Sequence, residues 1–251
     1  MSERLENRVA VITGAGSGIG RAIAGELASR GAAVAVADLN VEAGKAAAEE
    51  IVQLGGRAEA FAVDVTAEGS IHCLQQETAS RLGIADIIVN CAGWNRGMPF
   101  LENESDFIHT VTALNLLGPI FMCQTFLRPL VESGQPGHVV NISSDAGRVG
   151  SLGETVYAAA KGGVIALTKS LAREMARHNI KVNCVSPGPT ETPLFYEQPE
   201  KIQAALIRAI PFGRLGKPQD VAHAVAFLVS QDSSYITGQV LSVSGGLTMV
   251  G

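Results

Sequence analysis

The chain has 251 residues, a formal net charge of −5, and 47% hydrophobic against 17% charged residues, which fits one globular α/β domain. The acidic balance and the scattered basic residues argue against nucleic-acid and membrane-surface partners. The four cysteines, at positions 73, 91, 123 and 184, show neither paired nor metal-ligand spacing, so we predict no metal site and a cytoplasmic location. The first residues lack an apolar targeting stretch, and no segment reaches about 18 uninterrupted apolar residues, so we expect no membrane span.

Short Val- and Ile-rich runs alternate with longer amphipathic stretches along the chain. The predicted strands are Val9–Thr13, Ala33–Asp38, Ala58–Val63, Asp86–Asn90, His138–Ser143, Lys181–Val185 and Gln239–Val243. The predicted helices lie near 19–30, 42–54, 68–82, 101–115, 119–132, 155–178 and 218–230. This alternation predicts a single-domain α/β protein over 1–251, with a Rossmann-type doubly wound parallel sheet of seven strands and helices on both faces.

Two segments depart from the alternation. Prolines recur from Pro187 to Pro218, and this stretch directly follows a strand end, so we predict a mobile substrate lid at about 189–212. The last segment, Ile236–Gly251, has strand character, which predicts a strand running to the C-terminus.

A glycine-rich turn follows the first strand and opens a helix. Gly14, Gly18 and Gly20 allow backbone N–H groups and a helix N-terminus to approach a pyrophosphate, although a plain tight turn is the alternative. Asp38 ends the second strand 18 residues after Gly20, where a carboxylate can bind both ribose hydroxyls of a dinucleotide. Since no basic residue adjoins Asp38 or occupies position Ser17 of the turn, we predict NAD rather than NADP.

Tyr157 and Lys161 are four residues apart in a predicted helix, so they share one face. Their spacing also fits a surface cation–aromatic pair. A nearby ammonium favours the phenolate, so we expect a lowered pKa of Tyr157 and proton exchange with a substrate oxygen. Ser144, at the carboxyl end of the fifth strand, could hold that oxygen, with Ser143 as the competing candidate, or either serine could cap the following turn.

In their order and spacing, these motifs resemble the short-chain dehydrogenases/reductases over essentially the whole chain. The matching segments are Thr-Gly-x-x-x-Gly-x-Gly at 13–20, Asn90-Cys91-Ala92-Gly93, Asn115, Ser144, Tyr157-x-x-x-Lys161 and Pro187-Gly188. Cys91 stands where the family usually has asparagine, and we interpret it as a core variant. The resemblance thus implies an oxidoreductase that interconverts a secondary alcohol and a ketone by hydride transfer.

The resemblance also implies roles for individual residues. Tyr157 would be the acid/base, Lys161 would hold the nicotinamide ribose and lower the pKa of the tyrosine, Ser144 would orient the substrate oxygen, and Asn115 would anchor a water in a proton relay. The cofactor-binding residues would be Gly14, Ser17, Gly18, Ile19, Gly20, Asp38, Leu39, Asp64, Val65, Asn90, Ala92, Gly93, Tyr157, Lys161, Pro187, Gly188, Thr190 and Thr192. Assembly as a homotetramer is likewise implied.

The sequence indicates less about the substrate than about the fold, the cofactor or the reaction. Segments around Trp94, Arg148 and the C-terminus are similar to those of family members acting on cyclic hydroxyacyl-CoA thioesters, such as 2-hydroxycyclohexanecarboxyl-CoA. Reductases that use acyl carrier protein typically carry arginines at the positions of Gln135 and His178, which argues against that carrier.

Trp94 and Arg148 are candidate substrate contacts beside Ser144 and Tyr157, whereas packing and a solvated charge are their ordinary roles. Spacing does not place His109, Asp145 or Glu154 relative to the cleft. Three alternatives stay open: a 3-oxoacyl thioester reductase, a polyol, sugar or cyclic-alcohol dehydrogenase, and a catalytically silent dinucleotide sensor.

Overall fold

The computed structural model describes residues 5–249, which form one seven-stranded parallel sheet in the order β3-β2-β1-β4-β5-β6-β7. The strands are β1 Val9–Thr13, β2 Ala33–Asp38, β3 Arg57–Ala62, β4 Ile87–Asn90, β5 Gly137–Ile142, β6 Ile180–Pro187 and β7 Val240–Val243. The predicted doubly wound sheet is confirmed, and strand bounds shift by at most two residues. The strand order reverses between β1 and β4, which opens a crevice at the carboxyl edge of the sheet.

Helices cover both faces of the sheet. They are α1 Gly18–Ser29, α2 Val41–Gln53, α3 Glu68–Arg81, α4 Ser105–Thr112, α5 Gly118–Ser133, α6 Ala146–Val149, α7 Thr155–Met175, α8 Pro193–Tyr196, α9 Glu200–Ala209 and α10 Pro218–Leu228. A π-helical turn, Ala113–Leu117, joins α4 to α5. The predicted helix 101–115 therefore begins only at Ser105, after a separate 3-10 turn at Phe100–Glu102, and from there it joins the predicted helix 119–132 in one helical stretch with a local distortion.

Two apolar cores lie on opposite faces of the sheet. One packs α1, α2 and α10 against the strands through side chains such as Ile23, Ile51 and Val225. The other packs α3, α5 and α7 through side chains such as Leu74 and Phe126. Because every strand except the edge strands is covered on both faces, its residues are apolar without alternation.

The segment predicted as a lid contains secondary structure that the prolines concealed. Pro193 and Pro199 stand at the starts of α8 and α9, where the missing N–H costs nothing. Phe195, Ile210 and Leu215 form a small third core. Mobility of the segment stays a prediction.

The C-terminal strand ends earlier than predicted. β7 stops at Val243 and is followed by Gly245 and Gly246, whose φ angles are +61° and +88°. Such left-handed backbone ends an extended strand. The predicted extension to the terminus is wrong up to Met249, and its last two residues lie outside the described part.

The stretch Ser105–Ser133 has 29 residues and contains an 18-residue window with a mean hydropathy of 1.4, so length and composition alone would let it cross a membrane. However, Met122, Phe126 and Leu130 pack against the sheet, as in the core helix of a globular fold. The absence of a membrane partner stays a prediction.

Candidate active site

The glycine-rich turn between β1 and α1 packs its backbone tightly against the neighbouring strand ends. Gly14 and Gly18 have φ angles of +66° and +51°, which glycine adopts without strain. A methyl group on Gly14 would lie 2.9 Å from the Cα atom of Ala92, and one on Gly20 would collide with the Gly14 carbonyl oxygen. The turn therefore leaves the backbone bare at the start of α1, as a pyrophosphate site requires. 

Two further predicted cofactor residues belong to this turn. Ser17 is the N-cap residue of α1, but its side chain makes no capping hydrogen bond. Ile19 packs partly against the core beneath the turn. Both residues thus lie at the helix N-terminus, where the resemblance puts the cofactor.

Asp38 at the end of β2 is oriented by two backbone hydrogen bonds. Its Oδ2 accepts from the Gly16 N–H at 2.8 Å, and its Oδ1 accepts from the Asn40 N–H at 2.8 Å. Gly16 is a residue that the sequence reasoning missed, and its place between the motif glycines was the available signal. The side chain of Leu39 is 72% exposed, so it borders open solvent beside this carboxylate.

Asp64 and Val65, two of the cofactor-binding residues that the resemblance implies, follow β3. The Oδ1 of Asp64 accepts hydrogen bonds from the N–H and hydroxyl groups of Thr66. Val65 is buried, and its Cγ2 would lie 3.0 Å from a methyl group on Gly118. Thus Asp64 shapes the turn, whereas Val65 packs against the start of α5.

The segment after β4 is fastened to β1 by Thr13, a second residue that the sequence reasoning did not single out. The Thr13 Oγ1 accepts from the N–H groups of Cys91 and Ala92, both at 3.1 Å. Cys91 packs partly against the core, which agrees with its interpretation as a core variant. Burial raises the pKa of its thiol to about 12, although Lys161 opposes the shift, so the thiol is neutral.

Asn90, at the end of β4, belongs to an internal chain of hydrogen bonds. Its side chain points into the sheet, where Nδ2 donates to Asn141 Oδ1 at 2.8 Å and to Cys123 Sγ at 3.3 Å. Asn141 in turn donates to the Thr168 hydroxyl in α7 at 2.9 Å. The Nδ2 of Asn90 therefore links β4 to β5 and, through Asn141, to α7, whereas its buried Oδ1 has no hydrogen-bond partner within residues 5–249. Cofactor contact by Asn90 stays a prediction.

Tyr157, Ser144 and Lys161 meet at the carboxyl ends of β4 and β5. The Ser144 hydroxyl lies against the Tyr157 phenol and lowers its pKa. The Lys161 Nζ lies 5.7 Å from the centroid of the tyrosine ring and donates to the Ile142 carbonyl at 2.9 Å. One helical turn of α7 thus presents phenol and ammonium to the same crevice.

The structure separates the two candidate serines. The buried Ser143 hydroxyl donates to the Lys161 carbonyl at 2.8 Å and fastens β5 to α7. The Ser144 Oγ instead faces the phenol and accepts from the Ala146 N–H at 3.2 Å. Consequently only Ser144 is oriented for contact with a substrate oxygen.

The predicted lowering of the Tyr157 pKa is not what the protein alone shows. Burial raises the pKa of Tyr157, Glu154 raises it further, and the hydrogen bond from Ser144 lowers it. Burial also lowers the pKa of Lys161 to about 8. Burial disfavours the charged form of each group because both leave water, so the phenol is protonated at neutral pH.

Asn115 lies on the π-helical turn and is fully buried. Its Nδ2 donates to the carbonyls of Trp94 and Val111 at 2.8 and 2.9 Å, and its Oδ1 accepts from the Trp94 N–H at 3.3 Å. A methyl group on Gly93 would lie 2.8 Å from that Oδ1 and 3.3 Å from the Lys161 Nζ. Asn115 therefore holds the backbone beside Lys161, and Gly93 leaves room for both side chains.

The segment after β6 returns to the glycine-rich turn. The Gly188 N–H donates to the Val243 carbonyl at 3.0 Å, and the Thr190 hydroxyl donates to the Gly188 carbonyl at 2.9 Å. A methyl group on Gly18 would lie 3.3 Å from the Thr192 Cγ2. Thus Pro187, the last residue of β6, leads into a segment that faces the phosphate turn.

The two predicted substrate residues flank the crevice. Trp94 is half-buried and makes an edge-to-face contact with Phe107 at a centroid distance of 5.9 Å. Arg148 is half-buried in α6. Packing explains the position of Trp94, and substrate contact for either residue stays a prediction.

A family model described as Enoyl-(Acyl carrier protein) reductase matches residues 14–248. The chain is 44% identical to the (3R)-3-hydroxyacyl-CoA dehydrogenase of Canis lupus familiaris and 42% identical to that of Homo sapiens, covering 98% of each relative. These alignments cover 98% and 99% of this chain. It is also 38% identical to a 3-oxoacyl-[acyl-carrier-protein] reductase of Thermotoga maritima, over 98% of this chain and 100% of that one.

A solved structure described as a short-chain alcohol dehydrogenase from Sinorhizobium meliloti superposes with a TM-score of 0.92 at 36% identity, over 97% of each chain. The chain belongs to the short-chain dehydrogenase/reductase family. It is an oxidoreductase acting on CH–OH groups with a nicotinamide dinucleotide cofactor.

Proposed function

We propose that the protein interconverts a 3-hydroxyacyl-CoA and the matching 3-oxoacyl-CoA, with NAD as the preferred cofactor. The observation that carries the proposal is the placement of the Tyr157 phenol against Ser144, with the buried Lys161 Nζ 5.7 Å from the centroid of the tyrosine ring. This arrangement puts an acid and a hydroxyl group at one substrate oxygen. The sensor alternative is disfavoured because all the groups needed for proton transfer are present and in contact.

The residues that line the crevice have the chemistry needed to bind a nicotinamide dinucleotide. A nicotinamide ring supplies the hydride acceptor for the alcohol and the hydride donor for the ketone. The bare backbone at Gly14 and Gly18 would take the pyrophosphate, and Asp38 would take the adenosine ribose. Lys161 would reach the nicotinamide ribose from the floor of the crevice.

In ketone reduction, Tyr157 donates its proton to the substrate oxygen as the carbon accepts the hydride, and in oxidation the phenolate takes that proton back. Burial raises the pKa of Tyr157, so the acid form is ready at neutral pH. Ser144 orients the oxygen. Lys161, with a pKa of about 8, is largely cationic at pH 7 and stabilises the phenolate as it forms.

Preference for NAD is supported by Asp38, whose two backbone hydrogen bonds hold the carboxylate at the end of β2. A fixed negative charge there repels a 2′-phosphate. The test is the ratio of kcat/KM for NADH to that for NADPH. A ratio of one or below would contradict the proposal.

A CoA thioester is supported by the hydroxyacyl-CoA dehydrogenases among the relatives. We propose a cyclic acyl group, such as 2-hydroxycyclohexanecarboxyl-CoA, from the likeness of the segments near Trp94 and Arg148. The second candidate is a reductase of acyl-carrier-protein thioesters, which the Thermotoga maritima relative favours. Gln135 and His178 argue against it, since neither is an arginine that would pair with an acidic carrier.

The deciding experiment is NADH oxidation with 2-oxocyclohexanecarboxyl-CoA, acetoacetyl-CoA, acetoacetyl-acyl-carrier protein and simple cyclic ketones, with sorbitol as a polyol in the reverse direction. We expect the highest kcat/KM with a CoA thioester. The control is Tyr157→Phe, which keeps NADH binding and loses most turnover. Binding of NADH without turnover of any compound would support the sensor alternative instead.

Association into a homotetramer is part of the proposal. Phe227 in α10 and Leu241 in the edge strand β7 are 40% and 39% exposed, and apolar side chains at a sheet edge favour pairing with a second copy. Light scattering measures the mass directly. A monomeric mass would contradict this part alone.

A further inference from the structure

One carboxylate near the catalytic residues has no part in the reaction described so far. Glu154 is half-buried at the N-terminal end of α7, three residues before Tyr157. Its charge acts on the phenol, because it raises the pKa of Tyr157 in addition to the effect of burial. The carboxylate therefore lies close enough to affect any group bound against that phenol.

Glu154 is held in place by the segment that follows β4. The Asn95 Nδ2 donates to the Glu154 Oε1 at 2.9 Å, and Asn95 is only 8% exposed. A second hydrogen bond, from the Met98 N–H to the Gly153 carbonyl at 2.9 Å, joins the same two loops. A buried partner and a second loop contact both restrict the movement of the carboxylate toward solvent.

The negative charge of Glu154 is not neutralised by a neighbour. Within residues 5–249, no lysine, arginine or histidine lies within ion-pair distance of its carboxylate, and no hydrogen bond reaches its Oε2. The catalytic cation, Lys161, donates to the Ile142 carbonyl instead. The Glu154 carboxylate thus forms no ion pair within residues 5–249, and its Oε2 is left to accept a hydrogen bond from a bound group.

We propose that Glu154, fixed by Asn95, determines which substituent is accepted beside the reacting carbon. It disfavours a carboxylate there and tolerates a neutral ester or thioester. This inference rests on the proposed function, since a 3-oxoacyl thioester is neutral at the position where the free 3-oxo acid is an anion. Glu154 would thereby favour the thioester over its hydrolysis product.

The test compares two ketones that differ in this charge, ethyl 3-oxobutanoate and 3-oxobutanoate, with NADH as the reductant. Each compound is measured as a substrate and as a competitive inhibitor of the better substrate. The variant Glu154→Gln removes the charge and keeps an oxygen that accepts from Asn95. We expect the wild-type preference for the ester, as a ratio of kcat/KM values, to fall about tenfold in the variant, mainly through a lower KM for the anion.

Two further variants complete the design. Glu132→Gln removes an exposed carboxylate at the C-terminal end of α5 and should leave the ratio unchanged. Asn95→Leu frees Glu154 and should lower the ratio by a smaller factor. NADH affinity and circular dichroism verify that each variant binds cofactor and is folded.

The inference is overturned if the wild-type enzyme shows no preference for the ester, or if Glu154→Gln retains the full preference. Turnover of acetoacetyl-CoA by the wild-type enzyme tests the proposed function independently of the role of Glu154. Lack of thioester turnover together with intact ester preference would reject the thioester substrate and retain the role of Glu154 in charge selection.

Discussion

Replacing Gly93 with alanine tests whether close packing around Lys161 is needed for hydride transfer. The new methyl group would lie 2.8 Å from the Asn115 Oδ1 and 3.3 Å from the Lys161 Nζ, closer than the ~3.5 Å optimum for non-bonded heavy atoms. One or both side chains must move by about 0.5 Å. Since a misplacement of about 1 Å can cost roughly 100-fold in rate, we expect kcat/KM to fall by about 10- to 100-fold.

The matched control is Gly25→Ala in α1, where a methyl group would meet no atom within 4 Å. Alanine in a helix interior gains about 0.5–1 kcal/mol over glycine, so this variant should keep its activity and gain about 2 °C in Tm. The assay is steady-state ketone reduction at saturating NADH, with Tm from circular dichroism. Wild-type kcat/KM in Gly93→Ala would refute the reasoning, because the methyl group would then be accommodated without displacing either side chain.

Three further predictions concern single side chains. Ser144→Ala should lower kcat about 100-fold, whereas Ser143→Ala should cost about 1 kcal/mol of unfolding free energy, measured by urea titration. Equal kinetic defects would contradict the separation of the two serines. Because burial raises the pKa of Tyr157, kcat/KM for alcohol oxidation should rise from pH 7 to 10, whereas the enzyme should keep its full kcat/KM for ketone reduction at neutral pH. Stopped-flow pH profiles test both expectations. A flat oxidation profile would count against a buried phenol. Burial and Arg8 lower the pKa of His138 to about 4. The contribution of the neutral ring to the free energy of unfolding is therefore full above the unfolded-state pKa near 6.5. This contribution is lost as pH falls from about 6.5 to 4, by about 3 kcal/mol at about 1.4 kcal/mol per pH unit. His138→Gln should flatten the loss of stability in that pH window, and an unchanged slope would exclude this origin.

The alternation of apolar strands and amphipathic helices was sufficient to predict the sheet, because strands covered on both faces must be apolar throughout. It did not reveal α8 and α9, since prolines in a sequence signal both loops and helix starts. Similarly, the strand character after β7 concealed the turn at Gly245 and Gly246. That turn packs against residues distant in sequence, since a methyl group on Gly245 would lie 2.9 Å from the Ile210 Cγ2 and one on Gly246 would lie 3.1 Å from the Pro211 Cγ.

For the site, the spacing of residues along one helix or after one turn was enough to predict the catalytic pair and the ribose-binding carboxylate. Tyr157 and Lys161 share a helical face, and Asp38 ends a strand at a fixed distance from the glycine-rich turn, because these relations are set by local backbone geometry.

Only the tertiary structure decided which way side chains at strand ends point. Asn90 turns inward to Asn141, and Ser143 binds the backbone of α7 while Ser144 faces the phenol. The pairing of Glu154 with Asn95 joins residues 59 positions apart. Such contacts, and the burial that raises the pKa of Tyr157, depend on elements distant in sequence being packed together.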